Sequence, residues 1–136
     1  MKAILFDQLG GPEVLKLGEV ARPEVKPGWV LIKNHAIGIN FADTFFRQGM
    51  YLVRPNLPDI PGLETAGVIE AVGPGVEHLK PGTRVAAIGS KTYAEYALAS
   101  ASGNRLPMSS LSFPSRMSWN DLSMPSWCLS GMAETV

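Results

Sequence analysis

The side chains able to do chemistry are few and scattered. His35 and His78 stand far apart in the sequence, Cys128 is the single cysteine, and Glu64 is an isolated carboxylate within a strand-like stretch. Together they make a poor set for a metal, which needs several thiolate, imidazole or carboxylate ligands converging on one point. Hydrogen-bonding and aromatic side chains instead occur at helical spacing from Asn40 onward. Asn40 can accept a bond from the Asp43 amide as a helix N-cap, and Asp43 then lies near the positive helix end. Phe41, Thr44, Phe45 and Gln48 fall on one helical stripe, and Gly49 supplies the stop. Each residue also has a purely architectural reading. Asn40 with Asp43 is an ordinary cap, Phe41 with Phe45 is core packing, Tyr51 is a surface aromatic, and Glu64 is a satisfied structural carboxylate. His35 reads as a solvent-facing strand residue and His78 as a turn residue without a recognisable partner.

The elements that must position these residues are mostly strands. Lys2 to Phe6 and Leu15 to Val20 flank a Gly10-Gly11-Pro12 turn and suggest a hairpin. Pro27-Gly28 introduces Trp29 to Ile37, in which Val30, Ile32, Asn34 and Ala36 alternate with Leu31, Lys33 and His35, placing Lys33 and His35 on the wetter face. The short helix begins at Asn40. Pro55, Pro58 and Pro61 make residues 52–62 an extended, stiff connection. Thr65 to Val72 is strand-like, Gly73-Pro74-Gly75 turns it, and Arg84 to Ile88 and Thr92 to Leu98 supply two more strands. Many short strands with frequent turns and one short helix predict a mainly β fold, a small, partly open β-barrel.

The chain of 136 residues is large enough for one domain with its own core. Twelve basic and twelve acidic residues leave no net charge, so neither nucleic acid nor an anionic membrane is an expected partner. The apolar run at the N-terminus ends at Asp7, too early for a signal peptide, and no stretch approaches a membrane span. A reducing, cytoplasmic location is the expectation. Serine divides the chain sharply: residues 1–99 hold only Ser90, whereas ten serines fall in 100–136, with Met108, Met117, Met124, Met132, Trp119 and Trp127. We therefore expect a domain over 1–107 and an irregular, poorly ordered tail over 108–136, arising from a shifted reading frame, an altered splice or a misplaced gene end. No G-x-G-x-x-G phosphate-binding turn occurs anywhere.

Five ordered segments carry a resemblance: GGPEVL, GINFADTFFRQGMY, PGLETAGVIEAVGPGV, LKPGTRVAAIG and TYAEYAL. Over roughly residues 1–107 the chain resembles the N-terminal GroES-like domain of zinc-independent quinone oxidoreductases of the medium-chain dehydrogenase/reductase superfamily. The resemblance implies a GroES-like, partly open barrel forming one wall of a cleft, truncated before the nucleotide-binding domain that forms the other wall. It implies metal-free hydride transfer from NADPH to a quinone or enone. By the same resemblance Asn40, Phe41, Ala42, Asp43, Thr44 and Phe45 line the nicotinamide end of the cofactor site, and Tyr51 lies on the substrate side. Zinc-using relatives place a Cys and a His where this chain has Asn40 and Leu63, so no zinc is expected. Many relatives carry Tyr in place of Phe45, which here removes a hydroxyl donor. A homodimer is a further implication. The alternative to an oxidoreductase half is a non-catalytic GroES-like interaction module, and the isolated chain is expected to be inactive.

Overall fold

The computed structural model describes residues 1–102, together with the backbone of 105–107 and 132–134. Within these, β1 (Lys2–Leu5) and β2 (Lys16–Glu19) form an antiparallel pair, joined through a single 3₁₀ turn at Pro12–Val14. The larger sheet runs in the order β6 (Tyr96–Ser100), β3 (Trp29–Gly38), β4 (Glu64–Val72), β5 (Arg84–Ile88) and β7 (Arg105–Pro107), all antiparallel. β8 (Met132–Glu134) pairs with Ala36–Gly38 of β3, beyond the stretch that pairs with β6. Among the described residues the expected mainly β architecture with one short α-helix, α1 (Phe41–Arg47), is adopted, and the sheets do not close. The rest of the 108–136 tail lies outside the described residues.

Strand β3 organises the molecule because it is buried along both neighbours. Lys33 and His35 are exposed, as expected, and Val30 and Ile32 are in the core, but Leu31, on the same alternating face as Lys33 and His35, is buried as well. The register with β4 shifts between Leu31 and Ile32 and again at a bulge, where Asn34 pairs with Gly67 and Ala36 with Ala66, leaving His35 opposite no residue of β4. The extra residue bends the strand and re-aims the segment beyond it. Ala36, Ile37 and Gly38 are all buried, and α1 begins after Ile39 and Asn40. Gly67 permits the bend, since any Cβ there would run into the carbonyl of Lys33.

Val30, Ile32, Ile69, Val76, Val85, Ala87, Ala99 and Ala101 make the principal core beneath the sheet. Each fully buried aliphatic side chain there contributes about 1.5–3 kcal/mol. One strand lies elsewhere than expected. The stretch proposed for Thr92 to Leu98 starts as a strand only at Tyr96. The reason is that Thr92 to Glu95 bonds in other directions. Asn34 Nδ2 donates to the carbonyls of Thr92 and Ala94 at 3.0 and 2.7 Å, the Ile4 amide donates to the Tyr93 carbonyl, and the Glu95 amide to that of Lys2. Thr65 Oγ1 donates to Asn34 Oδ1 at 2.5 Å, so one carboxamide ties β3, β4 and this segment together. His78, expected to lack a partner, places Nε2 3.3 Å from the Ala101 carbonyl. Among the described residues no helix is long and apolar enough to cross a membrane.

Candidate functional site

Helix α1 is short, and its stability comes from what grips it rather than from its length. The expected cap is reversed: the Asn40 side chain makes no cap hydrogen bond, and the Asp43 carboxylate reaches back to the start of the helix instead. Asp43 Oδ2 accepts the Asn40 N–H at 2.9 Å, while the Asp43 amide donates to the Asn40 carbonyl at 3.0 Å. At the other end Gly49 takes φ 73°, the left-handed geometry of the expected stop. On the inner side Phe46 packs edge-on against the fully buried Phe6, with ring centroids 5.7 Å apart. Buried Arg47 donates through Nη1 to the carbonyl of Gly10.

The outer side is the unusual one. The stripe containing Phe41 and Phe45 was open to a core-packing reading, and the structure overturns that reading. Phe41 is 77% exposed and Phe45 38% exposed, the two rings standing edge to face with centroids 4.9 Å apart. The inward stripe is instead Asp43, Phe46 and Arg47, because Phe6 and the Gly10 carbonyl supply partners only on that side. Thr44 spends its hydroxyl on the Phe41 carbonyl at 2.6 Å. Ala42 is half-buried beside them. Asn40 Nδ2 is buried with no hydrogen-bond partner among the described residues.

Beside α1 lies a cavity of about 250 Å³. Its lining includes the apolar side chains of Phe46, Ile60 and Leu63 and the polar or charged ones of Asp43, Tyr51, Arg54, Asn56, Ser90 and Lys91. Of the residues singled out from the sequence, Asp43 and Tyr51 therefore meet in one cavity, while Phe41 and Phe45 present a separate open face on the same helix. Among the described residues no three His, Cys, Asp or Glu side chains gather as a metal-binding group.

Sequence reasoning passed over three contributors. The Tyr93 hydroxyl donates to Asp43 Oδ2 at 3.0 Å, across a separation of fifty residues, so the cap carboxylate serves the helix and the segment after β5 at once. Asp59, nearly fully buried, accepts from the amides of Asn56 and Ile60, each at 2.9 Å, and from Lys91 Nζ at 2.5 Å. Lys91 itself sits at φ 58°, an uncommon setting for a residue with a side chain. Local sequence carried one usable signal: a lone aspartate between Pro58 and Pro61 is well placed to bond nearby amides.

Burial holds the Tyr93 phenol well above the ordinary tyrosine range, and the Asp43 carboxylate beside it adds to the shift by charge and by hydrogen bond. The folded chain thus keeps a proton that the unfolded chain releases near pH 10, and stability falls as pH rises through and beyond that value. Below it the contribution is fully present. Alkaline unfolding followed by circular dichroism should show this decline, and Tyr93→Phe should flatten it. A Tyr93→Phe variant with an unchanged alkaline limb would exclude Tyr93 as its source.

Known proteins agree with this geometry. The profile of the alcohol dehydrogenase GroES-like domain matches residues 26–109. A quinone oxidoreductase of Sus scrofa is 49% identical over 102 residues, which is 73% of this chain and 31% of that protein. Among solved structures, Escherichia coli quinone oxidoreductase complexed with NADPH is 39% identical with a TM-score of 0.67, covering 74% of this chain and 31% of that one. A mycobacterial protein complexed with NADPH is 42% identical with a TM-score of 0.69, covering 74% and 30%. The chain thus spans about a third of the length of these relatives. With open antiparallel sheets, one capped α-helix among the described residues and a profile match over more than half of the chain, the chain belongs to the alcohol dehydrogenase GroES-like domain family.

Proposed function

We propose that this chain supplies the nicotinamide-facing wall of an NADPH-dependent quinone oxidoreductase, reducing a quinone or enone without a metal. The observation that carries this reading is the outward aromatic stripe of α1, Phe41 and Phe45, on a helix whose inner side is pinned at three points. A solvent-facing helix stripe is ordinarily polar, so exposed aromatics on a rigid mount suit a flat ring laid against them. Asn40 Nδ2 leaves an unmet donor on the same helix, and a carboxamide oxygen is a suitable acceptor. These residues fit a nicotinamide: Asn40, Phe41, Ala42, Asp43, Thr44 and Phe45 would hold it. When bound, NADPH supplies the hydride.

The chain's own contribution is orientation. Asp43, bonded to the Asn40 amide and the Tyr93 hydroxyl, holds the helix end against the barrel, and Phe41 and Phe45 exclude water from the face they cover. Tyr51 brings a hydroxyl to the adjoining cavity, where a quinone oxygen would seek a donor. The donor chemistry supports a reaction without zinc: a carboxamide at Asn40 and an aliphatic side chain at Leu63 stand where zinc-using relatives have Cys and His.

The exposed side chains of Met50, Leu52 and Val53 favour a second reading, a non-catalytic module whose apolar rim binds another protein. Titration with NADPH, followed by amide chemical shifts and by cofactor oxidation with benzoquinone, separates the two. The oxidoreductase reading expects shifts centred on residues 40–45, with turnover once the nucleotide-binding half of the Escherichia coli relative is added. Neither shifts nor turnover would leave the module. Phe41→Ser is expected to weaken NADPH binding roughly 3- to 10-fold by loss of the aromatic face. Because Phe41 is exposed, its stability should move by less than about 0.5 kcal/mol in the same variant.

A further inference from the structure

The cavity beside α1 carries a charge pattern that the hydride reaction does not require. Two carboxylates line it, Asp43 and Asp59, and both are buried and engaged. Asp43 Oδ2 accepts from the Asn40 amide and the Tyr93 hydroxyl. Asp59 accepts from the amides of Asn56 and Ile60 and from the Lys91 ammonium. Two cations line the same cavity. Lys91 commits one of its three N–H donors to Asp59, and with its side chain 56% exposed the other two remain available to a ligand. Arg54 is exposed, and no carboxylate among the described residues pairs with it. The four charges sum to zero, but both carboxylates are engaged by donors of the chain, whereas Arg54 and Lys91 keep unspent N–H donors. The hydrogen-bonding capacity left at the cavity is therefore that of cationic donors, with Asn56, Ser90 and Tyr51 close by.

The backbone of Lys91 points the same way. At φ 58° a residue with a Cβ is strained, and such settings persist where surrounding contacts hold them. Here the ion pair to Asp59 is the contact that aims the lysine at the cavity. The cavity, at about 250 Å³, is below the size usual for drug-sized ligands, so it suits one small ring rather than a long-chain acceptor. Phe46, Ile60 and Leu63 give that ring an apolar bed.

We infer that this cavity selects a compact aromatic acceptor bearing an anionic substituent, a carboxylate or sulfonate, held by Arg54 and Lys91. The identity of the acceptor as a quinone rests on the proposed function; the sign of its charge rests on the cavity alone. A phosphate of the cofactor is the other anion that could meet these two cations, and the test distinguishes it.

The test uses the full chain under anaerobic conditions with hydroquinone and hydroquinone sulfonate, the reduced forms, which do not add to the Cys128 thiol. Amide chemical-shift titration should show the sulfonate binding about 10-fold more tightly at low salt, the discrimination expected of a charge-assisted bond, and narrowing as salt screens it. Its shifts should centre on residues 51–63 and 90–91. Arg54→Gln, a change at an exposed and unpaired side chain, should remove most of the preference while leaving hydroquinone binding within roughly 2-fold. Equal binding of the two compounds, no binding of either, or a preference that survives in Arg54→Gln would overturn the inference. Displacement of the sulfonate by inorganic pyrophosphate at millimolar concentration would reassign the cations to the cofactor and overturn it too. Failure of the nicotinamide reading is separately visible: NADPH would leave residues 40–45 unshifted while the sulfonate preference remained.

Discussion

Gly62→Ala is expected to destabilise the chain by about 2–4 kcal/mol, lowering the melting temperature by roughly 10–25 °C for a domain of this size. Gly62 has φ 106°, where residues with a Cβ are strained. The space is also taken. A Cβ there would press on the Thr92 hydroxyl and the Tyr93 ring, and would lie 2.9 Å from the Tyr93 amide nitrogen. That amide is not free to move, because it donates to the Pro61 carbonyl, and Asn34 holds the carbonyls on either side of it. The effect should therefore spread to the site: Tyr93 displaced from Asp43 loosens the start of α1. Thermal unfolding by circular dichroism gives the first number, and the Tyr93 ring shifts give the second. Melting within a few degrees of the parent would mean that the 90–95 segment yields cheaply, despite the bonds that Asn34 and Pro61 make to it.

Asp43→Ala is expected to cost about 2–3 kcal/mol. It removes the acceptor that caps α1, a loss of ~0.5–2 kcal/mol, and it leaves the half-buried Tyr93 hydroxyl without its partner. The informative quantity is the coupling. In a double-mutant cycle with Tyr93→Phe, the two changes should be non-additive by about 1 kcal/mol, because the second removes a donor that the first has already orphaned. Denaturant unfolding of the four proteins measures this. Additive losses would show that the two side chains act independently despite the 3.0 Å separation. The same cycle read out as NADPH binding reports whether the Asp43–Tyr93 bond positions the outward face of α1 or only the barrel beneath it.

How much of the fold and site is legible in the chain varies with the range of the interaction. The start of α1 at Asn40 and its stop at Gly49 rest on contacts within a few residues, and the strands β1, β2 and β3 announce themselves by strand-like runs set off by glycine and proline turns. Local pattern therefore reports them. That Asn40 and Asp43 pair at the helix start was local enough to read, though it is the Asp43 carboxylate and not the Asn40 side chain that caps. The shifted start of β6 could not be read this way. Thr92 to Glu95 has strand-like composition, but its backbone is claimed by Asn34 and by β1, partners far away in sequence. The direction of the Phe41 and Phe45 stripe was also undetermined locally, because a short helix with aromatics on one side and Phe46 on the other can turn either side inward.

The sequence by itself determined the local devices: the strands and their turns, the capped helix and the side chains it carries. The ordered motifs from Gly10 to Leu98 likewise identified the family resemblance without coordinates. Only the tertiary structure decided which of those side chains face outward and which meet. Phe6 and the Gly10 carbonyl draw Phe46 and Arg47 inward and so expose Phe41 and Phe45. Chain segments remote from α1 bring Tyr93 to Asp43 and Lys91 to Asp59. The physical reason is the same in each case: propensity and periodicity act over a few residues, whereas burial and pairing of a polar group depend on whatever the folded chain places beside it.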